Sequence, residues 1–299
     1  EMTNSDWSSD VCSSDLVNMS ENCNHNCDGC SQSGSCSDEI VKSNLARGAK
    51  VKHVIGVVSG KGGVGKSFVT SYLATLLQRE GYNVGILDAD ITGPSIPTAF
   101  GITQKAFGQD SLIYPVTTDT GIQVISSNML LENDSDPIIW RGPMIAGLVE
   151  QFYSEVFWKD VDFLMVDMPP GTGDVPLTIF QKLPIEGIIT VTTAQSLVSL
   201  IVEKAARMAE MMNVPILGLV TNMAYVTCPD CGKKIEIYGG PKTSEIARMH
   251  NIPVSAEIPL DPKISQYVDS GKIEDLIVDY LNPVRDALIE LANTTKDED

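Results

Sequence analysis

The chain has no run of about 18 uninterrupted apolar residues, so no bilayer-spanning helix is predicted. It is also short of positive charge: 21 Lys and Arg stand against 39 Asp and Glu in 299 residues, a formal net charge of −18. Phosphate backbones are held by Lys and Arg that displace counterions, and no basic patch offsets the acidic balance, so nucleic-acid binding is not expected. The C-terminus, Thr294-Thr295-Lys296-Asp297-Glu298-Asp299, lacks the basic amphipathic character that would hold a helix on anionic lipid, which argues against a membrane-surface role. The opening segment lacks a basic stretch followed by an apolar one, so no secretion signal is predicted and a reducing, cytoplasmic compartment is expected. In that setting the seven cysteines point to metal binding rather than to disulfides.

What is present suits one α/β domain of about 250 residues with a small appendage. Residues 1–18 contain the near repeat Ser8-Ser9-Asp10-Val11-Cys12 and Ser13-Ser14-Asp15-Leu16, while Met19 resembles a natural start, so 1–18 are read as extraneous. Residues 19–50 are rich in Asn, Ser, Gly, Asp and Cys without apolar periodicity, which predicts a disordered tail that orders only around a metal. Residues 51–293 form the expected main domain, with an insertion at 225–240, and 294–299 an acidic tail. Apolar, β-branched runs at 54–59, 84–87, 163–166, 187–192 and 216–221 read as buried parallel strands. Helical patterns lie between them at 66–79, 145–157, 198–212 and 241–250. This alternation predicts a mostly parallel, doubly wound sheet with its site at the carboxyl ends of the strands.

The first strand runs directly into Gly60-Lys61-Gly62-Gly63-Val64-Gly65-Lys66-Ser67, a phosphate-binding loop opening a helix. The glycines let successive backbone N–H groups turn toward phosphate oxygens, Lys66 brings a cation to the β/γ-phosphates, and the Ser67 hydroxyl is a Mg2+ ligand. ATP and Mg2+ are the implied cofactors. Two acidic loops follow later strands: Asp88-Ala89-Asp90 and Asp167-Met168-Pro169-Pro170-Gly171-Thr172-Gly173-Asp174. Phosphoryl transfer needs charge neutralisation and an oriented water more than covalent help. Asp167 therefore reads as the carboxylate that acts on Mg2+ through a metal-bound water, Asp90 as the residue orienting the attacking water and Asp88 as support for the metal shell; for Asp88 and Asp174, helix capping is the competing reading. Asn222 occupies a position suited to reading the adenine edge, since an amide both donates and accepts. The sequence assigns Arg141 no partner.

Cys228-Pro229-Asp230-Cys231 supplies two thiolates, whereas zinc or a 4Fe–4S cluster usually takes four. A two-fold axis would bring the same pair from a second copy; a zinc knuckle or a redox dithiol are the alternatives. In the tail, Cys23, Cys27, Cys30 and Cys36 make a complete set for an iron–sulfur cluster or zinc, with His25 a further zinc ligand.

Lys61, second in the loop, matches the deviant Walker A signature of the MinD/ParA/nitrogenase-iron-protein class. From Ala49 to Leu291 the chain resembles the Mrp/ApbC family of iron–sulfur cluster carrier ATPases. The resemblance rests on that loop, on Asp88-Ala89-Asp90-Ile91 with Gly93-Pro94-Ser95-Ile96-Pro97, on Asp167 to Asp174, on Asn222-Met223 before Cys228 and Cys231, and on Ile258-Pro259-Leu260-Asp261-Pro262. It implies a homodimer in which Lys61 reaches the partner's nucleotide and a labile 4Fe–4S cluster is held between paired CxxC motifs. It further implies cluster receipt from scaffold donors and delivery to apo-proteins, with slow ATP hydrolysis altering the dimer. The spacing from Cys27 to Cys36 matches the last three tail cysteines of the eukaryotic cytosolic branch, although the spacing before Cys27 is shorter. A ParA/MinD-like positioning ATPase and an ATP-driven electron donor are the alternative functions.

Overall fold

The computed structural model describes residues 42–91, 93, 95–130, 142–171, 173–194, 198–237 and 242–296. The chain divides into two units, 1–41 and 42–299. The first lies outside the described residues, and with it the expected disorder of the tail and the candidate ligands Cys23, His25, Cys27, Cys30 and Cys36. Arg141 and Thr172 also lie outside them.

In the second unit, β1 (Val51–Ser59) is followed by α1 (Lys66–Arg79), and β2 (Val84–Asp88) by α2 (Ile96–Ala99). The short strands β3 (Phe107–Gln109), β4 (Leu112–Tyr114), β5 (Val116–Thr117) and β6 (Gln123–Ile125) come next. Then α3 (Gly142–Ser154), β7 (Val161–Asp167), α4 (Asp174–Lys182), β8 (Gly187–Thr193), α5 (Val198–Met211) and β9 (Ile216–Asn222) alternate. A hairpin of β10 (Val226–Thr227) and β11 (Lys234–Ile235) precedes α6 (Thr243–Met249), β12 (Ser255–Glu257), α7 (Pro262–Asp269) and α8 (Asn282–Lys296).

The main sheet runs β12-β9-β8-β1-β7-β2-β6-β5, parallel except for β5 against β6. β1 lies between β7 and β8, so the loops after β1, β2, β7 and β9 open on the same edge of the sheet. Every residue of β8 is buried, as expected of a strand covered on both faces. On one face, Tyr72, Leu73 and Leu77 of α1 pack with Val284 and Leu288 of α8. On the other, Val149 and Phe152 of α3, Ile179 and Phe180 of α4 and Met208 of α5 form a second core. Burying each such side chain contributes about 1.5–3 kcal/mol. Glycine at position 85 is a packing requirement, because a Cβ there would lie 2.9 Å from the ring of the fully buried Trp158. No described helix is long and apolar enough to cross a membrane.

The sheet and its helical layers agree with the doubly wound expectation, with shifts at element ends. α3 starts three residues before the predicted 145 and stops at Ser154, because Val156 leaves the helix to bridge Ile113. α6 is shorter than the predicted 241–250. Thr294, placed in the acidic tail by composition, is helical in α8, and its hydroxyl donates to Leu291 O at 2.8 Å. At the other end, residues 42–50 are structured rather than tail-like. Ser43 N donates to Lys182 O at 2.8 Å, Lys42 Nζ donates to Phe180 O and Leu183 O, and Ala46 is buried. Lys42 thus places a cation on the carbonyl end of α4, where the helix dipole favours it.

Candidate functional site

The phosphate loop begins where β1 ends. Ser59 Oγ donates to Lys61 O at 3.0 Å, and Gly63 and Gly65 take φ of 76° and 84°, the left-handed region that glycine enters without a Cβ penalty. Gly62 and Gly63 are exposed, Gly60 and Lys61 half-buried, and Val64 is buried as the loop's apolar anchor. α1 has no acidic residue in its first turn, so nothing of its own offsets the positive end of its dipole. Such a terminus, reached through a glycine loop, favours an anion.

Beneath the loop, Asp167 at the end of β7 is fully buried and is the centre of the polar network. Lys66 Nζ and Ser67 Oγ donate to its Oδ2 at 2.7 and 2.6 Å, and Thr70 Oγ1 donates to its Oδ1 at 2.6 Å. Lys66 Nζ also lies 3.6 Å from Asp90 Oδ2, so one cation stands between the two carboxylates expected to act on metal and on water. Asp88 pairs in register with Asp167 on the neighbouring strand and is itself buried. Burial first, and then the Asp167 charge, pushes the Asp88 carboxyl up to about 8. Asp88 is held by Ser126 Oγ, which donates to Oδ2 at 3.1 Å, and by Asp90 N, which donates to Oδ1 at 3.2 Å. Asp88 is thus biased toward its neutral form, while Asp167 is the carboxylate of the pair that accepts from Lys66 and Ser67 and is placed to face a hard cation.

Asn222, at the end of β9, approaches the loop from the opposite side. Its Nδ2 donates to Val64 O at 2.9 Å, while its Oδ1 accepts from Met223 N at 2.9 Å. A Cβ on Gly65 would fall 2.1 Å from that Nδ2, so glycine there serves both the turn and the amide contact. An amide has two N–H donors and two acceptor sites, so these bonds leave capacity for a base edge.

Lys66, Ser67, Asp88, Asp90, Asp167 and Asn222 thus converge at the carboxyl ends of the strands. Asp174 opens α4 nearby. Thr70 and Ser126 were not singled out from the sequence. Thr70 follows Lys66 and Ser67 by one helical turn, a spacing that places all three on one face of α1.

Cys228 and Cys231 lie apart from this network, on the turn joining β10 to β11. Cys228 N donates to Lys233 O and Gly232 N to Cys228 O, both at 2.9 Å, with Gly232 at φ 70°. Backbone N–H groups of Cys231 and Asp230, and the Cys231 side chain, hydrogen-bond to Cys228 and lower its pKa. Cys228 is partly exposed and Cys231 exposed. Lys234 Nζ sits 4.1 Å from the ring centroid of Tyr225, tying β11 to the segment that leads from β9 into β10. Among the described residues, no group of three or more His, Cys, Asp or Glu side chains could hold a metal ion. The two thiols are a two-ligand set.

Residues 50–294 match the family profile of ParA, described as NUBPL iron-transfer P-loop NTPase. An iron–sulfur cluster carrier protein from Clostridium perfringens is 42% identical over 272 residues, spanning 88% of this chain and 95% of that protein. One from Methanococcus maripaludis is 41% identical over 264 residues, spanning 85% and 90%. Among solved structures, a nucleotide-binding protein from Archaeoglobus fulgidus in complex with ADP is 42% identical with a TM-score of 0.70, covering 77% of this chain and 91% of that one. The cell division ATPase MinD of Pyrococcus furiosus, 19% identical with a TM-score of 0.54 over 80% of this chain and 99% of that one, shares the fold. With these matches added to the loop, its carboxylates and the parallel sheet, the chain belongs to the ParA/NUBPL family of iron-transfer P-loop NTPases.

Proposed function

We propose that this protein is an ATP-binding and ATP-hydrolysing carrier of iron–sulfur clusters in the cytoplasm. In this reading it works as a homodimer, holds a 4Fe–4S cluster between the two Cys228/Cys231 pairs and passes it from scaffold donors to apo-proteins. The observation that carries the reading is the partly exposed CxxC turn, with two thiols and no third ligand among the described residues, on a chain 42% identical to a cluster carrier. A second copy related by a two-fold axis supplies the missing pair.

In the nucleotide site, the N–H groups of Gly62 to Ser67 receive the phosphates and Lys66 exchanges its carboxylate partners for the β/γ oxygens. Ser67 Oγ and the Asp167 carboxylate, 2.6 Å apart, are the hard-oxygen set that fits Mg2+. When bound, Mg2+ neutralises charge on the β/γ-phosphates. Asp90 orients the attacking water, and Lys61 reaches the nucleotide of the partner subunit.

Anaerobic reconstitution with iron and sulfide tests this reading. The wild type is expected to hold about four irons and four sulfides per dimer, with both lost in Cys228→Ala and in Cys231→Ala. A reconstituted wild type without iron, or one whose iron survives both replacements, would defeat it.

A further inference from the structure

The phosphate loop and the cysteine turn are separate in the fold, yet one residue touches the first and begins the path to the second. We propose that Asn222 is a positioning residue that couples the phosphate loop to the cysteine hairpin, so that nucleotide held by the loop alters the setting of Cys228 and Cys231. Cargo gating in this form rests on the carrier reading above; the coupling itself concerns the chain alone.

Four observations support it. Asn222 Nδ2 grips the loop backbone at Val64 O, and the fit is close enough that Gly65 tolerates no Cβ. The same side chain accepts from Met223 N, and Met223 takes φ 54°, a left-handed conformation unusual for a side chain of this kind. Beyond it the backbone is stiff: Ala224 N donates to Ile258 O and Leu260 N to Tyr225 O, both at 2.8 Å. Finally, the Tyr225 ring holds Lys234 of β11, the strand that closes the cysteine turn. A shift of the Val64 carbonyl as phosphates fill the loop therefore acts on Asn222, then on the constrained Met223, then on the root of the hairpin. Coupling of this kind is reciprocal and is commonly worth about fivefold or more in affinity.

Amide exchange in the metal-free full-length chain tests the coupling without any cluster. A non-hydrolysable ATP analogue with Mg2+, saturating for each variant, is expected to change exchange across residues 226–235 of the wild type by about fivefold. Asn222→Asp keeps the oxygen facing Met223 N but loses the donor to Val64 O. It should bind the analogue about tenfold more weakly and, once saturated, leave exchange in the hairpin unchanged. Thr243→Ala, which removes a hydroxyl bonded to Thr221 on the same strand without touching the loop, should retain the response. If Asn222→Asp does not fold, Asn222→Ser is read in the same way. The proposal is overturned by a nucleotide response that persists in the saturated Asn222 variant, by no response in the wild type, or by its equal loss in Thr243→Ala. Failure of the carrier reading appears separately, as absence of iron from Cys228 and Cys231.

Discussion

The nucleotide site and the cysteine turn are built on opposite terms. Around the buried Asp167 of β7, Lys66, Ser67 and Thr70 of α1 all bond the one carboxylate at 2.6 to 2.7 Å before any ligand contact is considered. The cysteine turn stands on two-residue strands, with its thiols partly or fully open to solvent and shaped by local backbone bonds and the Lys234 contact with the Tyr225 ring. Preorganised dipoles suit a reaction whose demand is charge stabilisation, because they need no rearrangement as charge develops. An exposed, lightly held turn suits a cargo that must be both accepted and released.

That contrast is open to direct attack. The largest expected effect is from Lys66→Ala, which removes the cation at the centre of the buried network. ATP hydrolysis should fall by about 100-fold or more, while iron loading of the cysteine turn continues; loss of both together would show that the two sites do not act as separate units. Thr70→Val should be smaller and structural. It deletes a buried bond to the Asp167 carboxylate, costing about 2 kcal/mol and lowering the melting temperature by several degrees; an unchanged melt would show that the network is less interdependent than its distances suggest.

Asp88→Asn should act in the opposite direction. The folded pKa of Asp88 is raised from 3.8 to about 8, so the native state binds a proton that the unfolded chain has released. Between those values stability falls with rising pH. The Asn variant removes that dependence, so its advantage in melting temperature should grow from pH 5 to pH 8, and a constant difference would contradict the protonated carboxyl. The smallest effect belongs to Cys231→Ala, whose side chain is exposed. Chemical denaturation should shift by under about 0.5 kcal/mol, and a larger loss would mean that the turn supports the domain rather than standing on it.

The same contrast explains what could be read from sequence. The long buried strands were legible because continuous β-branched runs such as 187–192 have few other solutions. The loop at 60–67 was legible because glycines, Lys66 and Ser67 must coincide with a strand end and a helix start. The strands β6 and β12, three residues each, are too short to display a period, and α4 opens in a Pro-rich stretch that masks its helical pattern. Within the site, the Asn222 bond to Val64 joins residues 158 positions apart, and no local spacing announces such a contact. The raised pKa of Asp88 likewise arises from burial within the folded sheet and then from the Asp167 charge on the neighbouring strand, neither of which a local spacing announces.

The contacts of Lys42 and Ser43 have a practical corollary for anyone shortening the protein. Ser43 also donates to Glu150 Oε1 at 2.7 Å, so two adjacent residues fasten the exit of α4 to the flank of α3. Removing residues 1–41 spares that fastening. Cutting at 50, where composition changes, would strip the carbonyls of Phe180, Lys182 and Leu183 of their donors and uncover the core surface against which Leu45 and Ala49 pack. The sound place to begin a minimal version is therefore ahead of Lys42.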